Sequence, residues 1–157
     1  MFYEIRVYQM DLVVVKRMII LSLLVGGAIG LLTLIPFIDV ITFLFLMFFA
    51  APLIMWFMMS VEILNITDNR KSVMAGSLVG FFAFIGFCAI YLPLVLLLGR
   101  GFGLYNQYGI SLFLGAGSFG VILLLIIFMA ILSSITNAFG GFLTYYVMDY
   151  FKTSERK

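Results

Sequence analysis

Three stretches of this chain are each long enough to cross a lipid bilayer and contain no charged residue. They run from Met18 to Phe37, from Val40 to Val61 and from Val73 to Leu98, and a fourth uncharged stretch runs from Ile110 to Met148. A helix needs about 20 apolar residues to cross a hydrocarbon core of about 30 Å. Inside that core every backbone N–H and C=O must be bonded within the protein, which leaves helices as the form such runs can take. Composition agrees: 65% of the 157 residues are hydrophobic and 10% are charged, against about 25% charged in soluble domains. The expected class is an all-α membrane protein with four transmembrane helices.

The fourth stretch is too long for one straight crossing. Its 39 residues would make a helix of roughly 58 Å. The glycines at 115, 117 and 120 and the "NAFGG" at 137–141 are the candidate breaks. The reading places a crossing over 118–136, an interfacial helix over 138–151, and leaves open a re-entrant segment within 99–120. The N-terminal "FYEIRVYQMDLVVV" is read as a short interfacial helix leading into the first span.

Lysine and arginine set the orientation. With a cytoplasmic N-terminus and four spans, Arg6, Lys16, Arg17, Arg70, Lys71, Lys152, Arg156 and Lys157 lie inside and Arg100 alone lies outside. A five-span reading would move the last three basic residues outward. The chain is therefore expected in the cell (inner) membrane, multi-pass, with both termini cytoplasmic. No cleavable signal is evident: the apolar run after Lys16–Arg17 is longer than a signal core and no A-x-A-like site follows it. Tyr145, Tyr146 and Tyr150 beside Lys152, Arg156 and Lys157 have the composition of an interfacial anchor.

"KRMIILSLLVG" (16–26) and "RKSVMAGSLVG" (70–80) echo each other at an offset of 54. Two parallel hairpin repeats would produce such an echo. So would two apolar spans that merely share basic flanks. Gly26 with Gly30, and Gly76 with Gly80, form GxxxG pairs, a spacing that lets helices approach closely in lipid. These four glycines are the expected helix-packing positions, within the chain or against another copy. Pro52 removes one backbone bond from the second span.

Sites for chemistry are few. Histidine, the commonest general base and metal ligand, is absent, and the one cysteine, Cys88, lies deep in the third run and reads as a small hydrophobe. "GAGSFG" (115–120) has the spacing of a dinucleotide loop, but that fingerprint needs a preceding strand, a following helix and an acid about 20 residues on. Gly140 stands at that distance, so no nucleotide is expected; a net charge of +2 is too small to suggest nucleic acid. Met55, Met58 and Met59 read as core or lipid-facing filling.

With Ala51 as the midpoint of the second span, Glu62 and Asp39 lie about 16 and 18 Å away along the axis. Both read as solvated helix ends, Glu62 within reach of Arg70 or Lys71. Asn137, with Ser133, Ser134 and Thr136, forms a polar cluster near the end of the last span. It is read either as an interhelical hydrogen-bonding group or as the lining of a small hydrophilic notch. Glu62 and Asn137 are thus the two candidate polar site residues, and no catalytic residue, cofactor or metal site is assigned.

The strings "LSLLVGGAIGLLTLIPFIDV", "RKSVMAGSLVGFFAFIG" and "NAFGGFLTYYV" resemble a loosely defined group of uncharacterised small four-span prokaryotic membrane proteins. That group has a proline at the end of span one, a Gly-rich span three and a Gly-Gly near the C-terminus. Asp39 stands where an asparagine is often seen there. The resemblance implies architecture and carries no mechanism. The expected function is that of a non-enzymatic membrane protein, a packing or accessory subunit of a membrane complex or homo-oligomer, with lipid and a membrane protein as partners. A small-solute or lipid transport component is the alternative, followed by a membrane enzyme acting on lipids.

Overall fold

The computed structural model describes residues 12–35, 37–64, 66, 68–102 and 119–154, with the backbone alone at 99–102, 119 and 152–154. Four helices account for nearly all of it: α1 (Leu12–Leu32), α2 (Asp39–Ser60), α3 (Asn69–Phe102) and α4 (Phe119–Ser154). Each carries a window long and apolar enough to cross a membrane.

Contact register gives the helix directions. Gly26 of α1 meets Ala83 of α3, and Gly30 meets Phe87, so these two helices run the same way. Ser72 of α3 meets Gly141 of α4 while Gly80 meets Ser133, so α3 and α4 are antiparallel. Leu46 and Met47 of α2 meet Asn137, and Met55 meets Gly141, so α2 and α4 run together. Lys16, Arg17, Arg70 and Lys71 therefore gather at one end of the bundle, called here the basic end.

The core lies where α2 and α3 face each other between α1 and α4. Leu46, Ile54, Met55, Met58, Ala75 and Val79 are among its most buried members. Two of the three methionines singled out in α2 thus serve as core, and Met59 packs against it.

α2 ends at the basic end in a Schellman motif. Ile63 N–H donates to Met58 O at 3.0 Å and Glu62 N–H to Met59 O at 3.1 Å. These two bonds satisfy carbonyls that a helix end would otherwise leave open, and the residue at the turn adopts left-handed angles. Here that residue is Glu62, with φ 57°. A side chain in this region costs roughly 1–2 kcal/mol relative to glycine. Among the described residues Glu62 forms no ion pair with Arg70 or Lys71; it serves the backbone turn, with its side chain exposed. At the opposite end Phe37 (φ 77°), 95% exposed, turns the chain from α1 into α2. There Thr33 and Thr42 join the two helices through a 2.8 Å hydroxyl pair.

The fourth helix departs from expectation. It does not end near Thr136, and 138–151 is no separate segment: α4 continues unbroken through Gly140 and Gly141 to Ser154. The physical reason is contact. A Cβ at Gly140 would lie 2.9 Å from the Pro52 ring, and one at Gly141 2.6 Å from the Ser72 carbonyl oxygen. Glycine in a helix interior costs about 1 kcal/mol against alanine, and here the close approach of two neighbouring helices offsets it. Beyond Gly141 the helix still lies against the bundle: Thr144 is buried, and Tyr145 and Met148 line a small cavity together with Met59 and Leu64 at the α2–α3 connection. At 36 residues α4 is about 54 Å long. The proposed N-terminal interfacial helix up to Asp11, the 103–118 segment and most of "GAGSFG" lie outside the described residues.

Candidate functional site

Two places bring polar side chains of different helices together. The first is the α3–α4 seam, built from two runs of small or short residues at four-residue spacing: Ser72, Gly76 and Gly80 on α3, and Ser133, Asn137 and Gly141 on α4. That spacing keeps each run on one helix face. A Cβ at Gly76 would collide with the Asn137 carbonyl oxygen, and one at Gly80 with that of Ser133. Across this narrow gap Ser72 Oγ donates to Gly141 O at 2.5 Å, Ser133 Oγ to Gly80 O at 3.0 Å, and Ser77 and Ser134 share a 2.6 Å hydroxyl bond.

The two expected glycine pairs have different neighbours. Gly26 and Gly30 of α1 abut the α3 backbone at Ala83 and Phe87, and Gly86 of α3 faces Leu23 in return. Gly76 and Gly80 face α4. The echoing segments thus sit against a parallel neighbour in one case and an antiparallel neighbour in the other.

Asn137 is fully buried and is placed differently from the sequence reading. It lies opposite the middle of α2, not near an end of the bundle, because α4 runs on past the expected end of its span. Its amide nitrogen donates to Leu46 O (3.1 Å), Met47 O (2.8 Å) and Ser133 O (3.0 Å), and its Oδ1 accepts from Ala51 N–H at 2.8 Å. Met47 O and Ala51 N are the acceptor and donor of one helical turn of α2. The Asn137 amide engages both, one residue before Pro52. Thr136 Oγ1 adds a second bond to Met47 O at 2.7 Å. A proline in a membrane helix is tolerated when neighbouring helices satisfy the backbone groups around it. The carbonyl that Pro52 leaves without its helical donor is Phe48 O; Asn137 and Thr136 of α4 engage the turn just before it, and Gly140 packs against Phe48 O and the Pro52 ring.

The second place is a groove of about 410 Å³ at the end opposite the basic one, between the start of α2, the later half of α3 and the early half of α4. Its walls are apolar: Phe43 and Leu44 from α2, Phe84 and Phe87 from α3, Leu125 and Met129 from α4. Phe43 and Phe87 meet edge to face at 6.3 Å, and Tyr91 stacks on Phe87 at 5.0 Å. Cys88 lines it as one more small wall residue. Thr33 and Asp39 stand at its α2 end. Asp39 is the first residue of α2 and is partly exposed.

No family model, curated protein or solved structure matches this chain. Its geometry must therefore carry the functional argument. The chain is a four-span integral membrane protein. Among its described residues no cluster of histidine, cysteine and acidic side chains has the makings of a metal site, and Glu62 and Asn137 lie in different parts of the bundle.

Two signals of the polar seam were present in the sequence and not used: the four-residue spacing of Ser133, Asn137 and Gly141, and its match to Ser72, Gly76 and Gly80. The groove gave no such signal, since its walls come from three separated segments.

Proposed function

We propose that this chain is a non-enzymatic protein of the cell membrane, with both ends cytoplasmic, that acts through helix contacts as an accessory subunit of a larger complex or as a homo-oligomer. The observation that carries this reading is the engagement of its buried polar groups. Ser22, Thr33, Ser72, Ser133, Asn137 and Thr144 are the buried polar side chains among the described residues. Each is hydrogen-bonded within the bundle. Catalysis or solute passage calls for polar groups held ready for a substrate; here Thr33, Ser72, Ser133 and Asn137 bond across helices, and Ser22 and Thr144 bond the carbonyl four residues back in their own helix.

The fourth helix supplies the outward surface. Its apolar window is 17% buried, against 28%, 33% and 33% for the others. Leu124, Phe128, Ile131 and Ile135 project from it. A face of this kind meets lipid or another apolar helix.

Extraction from native membranes in a mild detergent tests the proposal. The expected product is a particle containing a stoichiometric second protein or further copies of the 17.7 kDa chain. A particle holding one copy alone, which on reconstitution into liposomes moves a solute, would replace this reading with that of a transport component.

A further inference from the structure

The groove at the end opposite the basic one has a depth, a lining and a charge that together describe one kind of occupant. Along α3 its wall runs from Phe84 to Leu92, eight residues or about 12 Å of helix axis. One leaflet of a bilayer contributes about 15 Å of hydrocarbon. The groove therefore matches a single leaflet, and its volume of about 410 Å³ falls in the range of small-molecule sites, about 300–1,000 Å³.

The lining is aromatic and aliphatic along that depth and acidic at one end. Asp39 is the first residue of α2, so its carboxylate lies where the span begins. Asp39 is the one charged residue at this end whose side chain is described; Arg100 of α3 lies at the same end, with its backbone alone described. A carboxylate at the end of an apolar groove favours a cation over an anion as its neighbour. A molecule that places an alkyl chain between α2, α3 and α4 and a positive charge at the membrane surface satisfies both features.

We propose that this groove holds one acyl chain of a lipid whose headgroup carries an ammonium, with that ammonium seated at Asp39. The inference stands apart from the subunit reading, since a subunit or a lone chain could equally hold such a lipid. Anionic and uncharged headgroups would share the hydrocarbon contacts without the charge pairing. Selectivity by headgroup, rather than lipid contact as such, is what distinguishes this site from the rest of the lipid-facing surface.

The test uses the full chain in nanodiscs made of equal parts phosphatidylethanolamine and phosphatidylglycerol. A photo-reactive benzophenone residue replaces Leu44, in the groove wall, or Leu124, outside it on α4. After illumination the adducts are identified by mass. Phosphatidylethanolamine adducts at position 44 should exceed phosphatidylglycerol adducts about three-fold, the effect expected of one partly exposed ion pair, with no preference at position 124. Asp39→Asn should abolish the preference at position 44, and Leu125→Trp, which fills the groove, should reduce lipid adducts there. Equal ratios at both positions, or a preference that survives Asp39→Asn, would reduce the groove to ordinary annular contact and overturn the proposal. Adducts at position 44 that join a second copy of the chain, or residues 103–118 of the same chain, would overturn it by naming a different occupant.

Discussion

Replacing Gly26 by alanine is expected to lower the stability of the detergent-solubilised protein by about 3 kcal/mol, the upper end of the usual cost of overpacking. The added methyl would fall on the carbonyl group of Ala83. That obstacle is backbone, with no rotamer to move, so α1 would have to withdraw from α3 along the whole contact that continues to Gly30 and Phe87. Gly120→Ala provides the control. Among the described residues nothing lies within 4 Å of a Cβ there, and the change should stay within about 0.5 kcal/mol of the parent. Unfolding in mixed micelles, followed by helical circular dichroism, measures both. Equal stability of the two variants would mean that α1 and α3 do not approach this closely.

Asn137→Ala is the second large effect. It removes the donor to Leu46 O and Met47 O and the acceptor for Ala51 N–H. Interhelical hydrogen bonds in membranes average about 0.6 kcal/mol each, and with the void left behind the loss should reach about 2–3 kcal/mol. Asn137→Asp, nearly identical in shape, should be worse than alanine. It keeps an oxygen for Ala51 N–H but turns a second oxygen toward the carbonyls of Leu46, Met47 and Ser133. The same unfolding assay ranks the three proteins. An aspartate variant as stable as the parent would contradict the assigned orientation of the amide.

The spans were legible because charge and hydropathy change together at their ends. Lys16–Arg17 and Arg70–Lys71 stand before two of the runs, and the helices bracket those runs as expected. The fourth helix was misread at Gly140–Gly141. In a soluble helix such a pair would signal a stop; against Pro52 and Ser72 it permits contact instead, and only the neighbouring helices distinguish the two uses. The error carried over to Asn137: a span ended at Thr136 puts that residue near a surface, whereas the continuing helix puts it opposite the middle of α2. Glu62 was singled out for its charge, while its part in the fold is a left-handed backbone turn that no sequence rule assigns to glutamate. The groove was not legible at all, since Asp39, Phe87 and Leu125 are brought together only by the packing of three helices.

Four spans with both ends on one side underlie the basic end, the single-leaflet groove and the subunit reading alike. Thiol accessibility in intact cells tests this most directly. Single cysteines are introduced as Gln107→Cys and Ser154→Cys in a Cys88→Ala background, and an impermeant maleimide is applied from outside. The account predicts labelling at position 107, and none at position 154 until the cells are permeabilised. Labelling at position 154 in intact cells would contradict it.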